Sequence, residues 1–183
     1  IKNGAYTLAI TDATVGNTLG GVGANALTGN AKNASIHIKD TTAEIQQNLD
    51  ALQRVGLKLK TIAQTDASTS LTVSASQLKN DAIAIGKILT PYHLDVIRAS
   101  AAQAAKLAAN TKVLTLSVSD TAANIAKSWA LLDRVSDSLT AVEVTDPSNA
   151  LKLTGDQVQA GNDVLAKFTA DALPIDRSKR CTS

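Results

Sequence analysis

Short runs rich in Val, Ile, Leu and Thr alternate along the chain with longer segments whose apolar residues return every three or four positions. The runs at 35–39, 59–65, 71–73, 94–98, 113–118, 139–145 and 151–153 have period-two character and read as strands. Each is too short to stand alone and needs neighbours. Between most of them the apolar spacing is helical: Ile45, Leu49, Leu52; then Leu78, Ile85, Ile88; then Ile125, Trp129, Leu132; then Val158, Leu165, Phe168. Each set falls on one side of a helix, so one face of every helix is expected to be buried. Trp129 lies between Ile125 and Leu132 on such a face and is predicted to be a core anchor.

Polar residues mark where the helices begin. Thr41 with Glu44, Ser74 with Gln77, Ser100 with Gln103 and Thr154 with Gln157 match the capping box. In that arrangement a hydroxyl takes the third amide and the Glu or Gln reaches back. Thr121 with Asn124 is a weaker fifth. Starts at 41, 74, 100, 121 and 154 are separated by 33, 26, 21 and 33 residues, about what a strand, a turn and a helix of ~12 residues require. Two inserts, 66–70 and 146–150, join strand to strand, and Pro147 suits the second position of a type I turn.

The pattern occurs twice. Segment 36–88 aligns without a gap on segment 116–168, at a shift of 80 residues. Identities at Asp40/Asp120, Thr41/Thr121, Ala43/Ala123, Ile45/Ile125, Leu52/Leu132, Arg54/Arg134 and Val55/Val135 continue through Thr65/Thr145, Asp66/Asp146, Leu71/Leu151, Gln77/Gln157 and Lys87/Lys167. An ungapped match of this length signals duplication. Both copies are therefore expected to run strand, helix, strand, turn, strand, helix. The organisation follows: 1–35, an N-terminal strand and Gly/Asn-rich segment; 36–115, the first repeat; 116–183, the second repeat with a polar C-terminal tail. Residues 8–12 echo the strand-plus-Asp phrase that opens both copies, which makes 1–35 a degenerate repeat or cap. Tandem strand and helix units predict parallel strands joined by right-handed crossovers. The fold class is α/β, arranged as a repeat, solenoid-like stack of short parallel strands and capped helices. The alternative is a compact three-layer α/β domain, with the strand-to-strand turns as hairpins.

Composition changes this picture little. With 183 residues the chain is long enough for a core without disulfide or metal. A charged share of 19% and a net charge of +2 point neither to a disordered tail nor to a basic nucleic-acid surface. Aromatic residues make up 2%, with no Met, so the interior must be built from Ala, Val, Ile and Leu. Thin, regular layers suit such residues better than one large core. No apolar run approaches the ~18–20 residues that span a bilayer, and no signal-peptide pattern opens the chain. Ile1 is not an initiator residue, so a processed protein or a piece of a longer one is expected. Cys181 has no intrachain partner and reads as an incidental tail residue, the alternative being an intermolecular bridge or attachment point.

Candidate chemistry is sparse. His37 falls in a strand and His93 in a loop after Pro91 and Tyr92, without the spacing of a metal site or a nucleophile elbow. Gly20, Gly21 and Gly23 make a Gly-rich stretch that lacks the Lys-Ser/Thr ending of a phosphate loop. Asp12, Asp40, Asp66, Asp120 and Asp146 recur along the chain, and if successive coils stacked them in register they would line an oxygen ladder for a hard cation. The simpler reading is structural: Asp40 and Asp120 stand before helices, where they accept backbone N–H bonds, while Asp66 and Asp146 open turns. Arg54 and Arg134 read as partners of helix C-termini. No catalytic, cofactor-binding or metal-ligating residue is assigned, and no cofactor is expected.

The phrase from Val118 through Asp120, Thr121 and Asn124 to Ile125, the helix ending Leu131-Leu132-Asp133-Arg134-Val135, and the strand from Leu139 to Asp146 together resemble a tandem repeat of large secreted, surface-layer-like bacterial proteins. The resemblance covers roughly 36–168, most specifically 116–158. It implies a location outside the cell at the bacterial cell surface and a structural or adhesive role, and it carries over no catalytic residue. The nonapeptide array of the calcium-binding relatives is missing. The expected function is therefore a non-enzymatic structural module of an extracellular surface protein or filament, with a carbohydrate- or surface-binding adhesin domain as the alternative. Its expected partner is a second subunit, reached through open strand edges by residues 5–11; glycans or surfaces are further partners, with no nucleic acid and no membrane span.

Overall fold

The structure, a computed structural model, describes residues 8–15, 33–66 and 70–169. The first part of the phrase 5–11, most of the Gly/Asn-rich stretch including Gly20, Gly21 and Gly23, the middle of the 66–70 turn, and the tail with Cys181 lie outside the described residues. The protein is α/β, with parallel strands in two sheets and helices between them. It divides into two compact units, Ile1–Leu94 and Asp95–Ser183.

In the first unit β1 (Leu8–Ala13), β2 (Asn33–Asp40) and β3 (Leu59–Gln64) lie side by side in chain order, and both pairs are parallel. Parallel neighbours need a crossover, and between β2 and β3 it is made by α1 (Thr42–Gln47), α2 (Leu49–Val55) and a 3-10 turn (Gly56–Lys58). After β3 the chain turns into β4 (Leu71–Ser74), then α3 (Ala75–Asn80) and α4 (Ala82–Ile85). It returns at Ile88, which pairs in parallel with Ile62 of β3.

The second unit runs through β5 (Leu94–Ala99), a 3-10 turn (Ala101–Gln103), α5 (Ala104–Ala108) and β6 (Val113–Asp120). α6 (Ala122–Lys127), α7 (Trp129–Asp133), a 3-10 turn (Ser136–Ser138) and β7 (Leu139–Val144) follow, then α8 (Gly155–Ala160) and α9 (Asn162–Leu165). Strands β5, β6 and β7 neighbour one another in that order, β6 and β7 in parallel.

The duplication is reproduced in the hydrogen bonds around β2/β3 and β6/β7. Thr65 N donates to Asp40 O at 2.9 Å and Thr145 N to Asp120 O at 2.9 Å; Ile62 N donates to Lys87 O and Val142 N to Lys167 O, both at 2.8 Å. The β2/β3 register slips between Ile36 and His37, the β6/β7 register between Leu116 and Ser117. The cores correspond as well: Ile36, Ile38, Ile45, Leu49, Leu52, Leu59 and Ile62 are buried in one copy, and Leu116, Val118, Ile125, Trp129, Leu132, Leu139 and Val142 in the other. Each such side chain contributes about 1.5–3 kcal/mol by leaving water.

Four details differ from the sequence expectation. Each expected long helix is two short ones, because Asn48, Asp81, Ser128 and Gly161 leave helical geometry for ψ values of 17, 23, 10 and 34°. Secondly, 151–153 forms no strand, although its counterpart is β4. Thirdly, Val158 on the predicted buried face of α8 is exposed. Lastly, Thr41 caps Glu44 N at 3.3 Å, but Thr41 N goes to Asp40 Oδ1 at 2.8 Å. The adjacent Asp40 carboxylate thus takes the amide that Glu44 would have reached back to, whereas Ser74, Ser100 and Thr154 close complete capping boxes.

Candidate functional site

The aspartates are the most organised polar groups of the fold, and what they hold is backbone. Asp40 sits at the end of β2, where Oδ1 accepts from Thr41 N at 2.8 Å and Oδ2 from Val15 N at 2.7 Å. Asp120 does the same at the end of β6: Oδ1 accepts from Thr121 N at 2.8 Å and Oδ2 from Ala101 N at 3.0 Å. Each carboxylate thus clamps the amide that follows its own strand and an amide that follows the preceding strand. Asp66 Oδ1 accepts from Thr42 N at 2.8 Å and Asp146 Oδ1 from Ala122 N at 2.7 Å, so these two reach back to the first turns of α1 and α6. Negative charge there is favourable against the helix dipole. The hydroxyl and amide of Thr42 pull the carboxyl of Asp66 below the usual range, and the amide of Ala122 followed by Asn149 does so for Asp146.

The geometry separates these aspartates instead of converging them. Among the described residues no group of three or more His, Cys, Asp or Glu side chains is placed to hold a metal ion. Asp12 is exposed in β1, with φ at 53°. His37 Nδ1 and Thr61 Oγ1 are partners at 2.8 Å across β2 and β3, and the exposed His93 contributes its carbonyl to Leu71 N at 2.9 Å. Arg54 lies in the last turn of α2, and Arg134 follows α7.

Two features escape the sequence pattern. Asp81, at the bend between α3 and α4, is 3% exposed, and its Oδ2 has no donor. Burial, then a shared hydrogen bond with Asp50 and the charge of Asp50, push its carboxyl up to about 6, with Arg54 opposing. Hydropathy gave no signal for it, because a lone Asp in a helical segment reads as surface.

The second feature is a cleft of about 380 Å³, with Ala122, Ala123 and Ala126 of α6 as one wall and Asp146, Ser148, Asn149, Ala150 and Lys152 as the other. In the first repeat Gln46 stands where Ala126 does, and its Oε1 accepts from Thr72 N at 2.9 Å. Ala126 offers no such side-chain acceptor to the backbone at Lys152. No helix of the described residues is long and apolar enough to cross a membrane. No family model, curated protein or solved structure matches the chain.

Proposed function

We propose that the chain is a non-enzymatic structural module of a bacterial extracellular surface protein or filament, built as a stack of strand–helix coils that continues end to end. The observation that carries this reading is the 80-residue duplication, repeated in the hydrogen bonds of β2/β3 and β6/β7. A unit that recurs with the same register and the same clamps is one that extends by addition. The carboxylates support a structural role too, since Asp40, Asp66, Asp120 and Asp146 are engaged by backbone amides. The extracellular placement rests on the resemblance of 116–158 to secreted repeat modules.

Sedimentation velocity at rising concentration, with negative-stain electron microscopy of the same samples, tests the proposal. Elongated particles that grow lengthwise are expected. A compact monomer at every concentration that is retained by a glycan array favours the second reading, an adhesin domain, for which the cleft beside α6 is the supporting observation.

A further inference from the structure

We propose that 151–153 is an acceptor edge for strand β1 of a second copy, which adds to it in parallel. The inference rests on the end-to-end reading above and names the two surfaces that meet. In the first repeat the corresponding residues form β4, with Leu71 N donating to the carbonyl of His93, the residue leading into β5. Leu71 and Val73 are both fully buried there. The second repeat keeps the phrase, Leu151-Lys152-Leu153-Thr154, and the capping box that starts the next helix. Yet 151–153 joins no ladder, and Leu151 and Leu153 are half-buried. A strand-forming segment without a neighbouring strand among the described residues is a template for one.

β1 is the structural counterpart of β5. Leu8, Ile10 and Ala13 occupy the places of Leu94, Val96 and Ala99. Asp12 at φ 53° and Arg98 at φ 56°, each next to last in its strand, are the non-glycine residues with positive φ among those described. Two residues beyond each strand, Val15 N meets Asp40 and Ala101 N meets Asp120. β1 pairs with β2 on one side, and no strand of the described residues flanks its other side. The chain's own tail is a poorer match, because at the 80-residue shift it sets Pro174 and Asp176 against Leu94 and Val96, both buried. The contact joins two different surfaces, so it propagates instead of closing, and main-chain bonding of an added strand supplies the affinity.

The test uses the full chain and a labelled peptide of residues 5–14 as probe. The peptide is expected to bind, and Leu151→Pro, which removes a donor in an already irregular segment, is expected to weaken it at least ~10-fold with the Trp129 fluorescence of the folded protein unchanged. Hydrogen exchange of the unaltered chain gives a readout independent of that variant: the Leu151 and Leu153 amides are fast in dilute solution and slow when peptide is added. Equal binding by Leu151→Pro, or amides already slow in the dilute monomer because the tail covers them, overturns the contact. Long assemblies that persist in Leu151→Pro overturn it while leaving the structural reading intact. Peptide binding that Leu151→Pro abolishes, in a chain that never lengthens, supports the contact and fails the array.

Discussion

The indole of Trp129 fills the space that a side chain at position 161 would occupy. A Cβ on Gly161 would lie 2.6 Å from Cε2 and 2.7 Å from Cζ2 of that ring, and the indole N–H donates to Gln157 O at 2.7 Å. Phe168 stacks on the same ring at 6.3 Å. In the first repeat the pair is Leu49 and Asp81, smaller against larger, so the two positions have changed together.

Trp129→Ala is expected to destabilise the protein by about 3–5 kcal/mol, and Gly161→Ala by about 1–3 kcal/mol through overpacking. Trp129→Leu combined with Gly161→Ala pairs a smaller side chain at 129 with a larger one at 161, as in the first repeat, and should cost less than the sum of Trp129→Leu and Gly161→Ala made singly. Urea denaturation of the four proteins measures the coupling; strict additivity contradicts it.

Asp81 makes the stability of the first unit depend on pH. Its folded pKa of about 6 lies above that of the unfolded chain, so the folded form binds more protons between roughly pH 4 and 6. Stability therefore rises as pH falls from 7 toward 4. Asp81→Asn removes the charge that burial and Asp50 disfavour, so it should raise stability at pH 7 and flatten that rise. Denaturation midpoints at pH 7 and 5 decide it.

At lower pH the sign reverses. The carboxyls of Asp66 and Asp146 titrate below their unfolded values, so the stability they confer is present above pH ~4 and is lost as pH falls through their folded pKa. The Thr42 and Ala122 amides should exchange faster once those carboxyls are protonated. Unchanged protection at pH 2 contradicts the assignment.

Asp120→Ala leaves the amides of Thr121 and Ala101 without their acceptor and should cost about 1–2 kcal/mol. Because the carboxylates bind amides, a chelator is expected to leave the thermal midpoint where it was. A large drop would restore the cation ladder.

Ala126→Gln supplies the acceptor that Gln46 provides in the first repeat. It should fill the cleft and slow exchange of the Lys152 amide; an amide as fast as before contradicts that account.

The strands, the helix starts and the burial of Trp129 were legible in the residues, because period-two runs, hydroxyl caps and helical spacing are local signals. The reach of Asp66 to Thr42 and of Asp146 to Ala122 was not, since each spans 24 residues and depends on which strands lie side by side. The same reason hid the state of 151–153: its pattern is that of β4, but a strand also needs a neighbour and a support, and Ala126 withdraws the support. Asp81 was invisible because its burial comes from the bend at its own position.

The backward-reaching carboxylates also give the molecule a direction under load. Asp40 holds the amide of Val15, Asp66 that of Thr42, Asp120 that of Ala101 and Asp146 that of Ala122, so each fastening belongs to a later part of the chain than the amide it secures. A segment peeled from the C-terminal side carries its carboxylate away and leaves an earlier amide without its acceptor, whereas one peeled from the N-terminal side leaves the carboxylate behind without that donor.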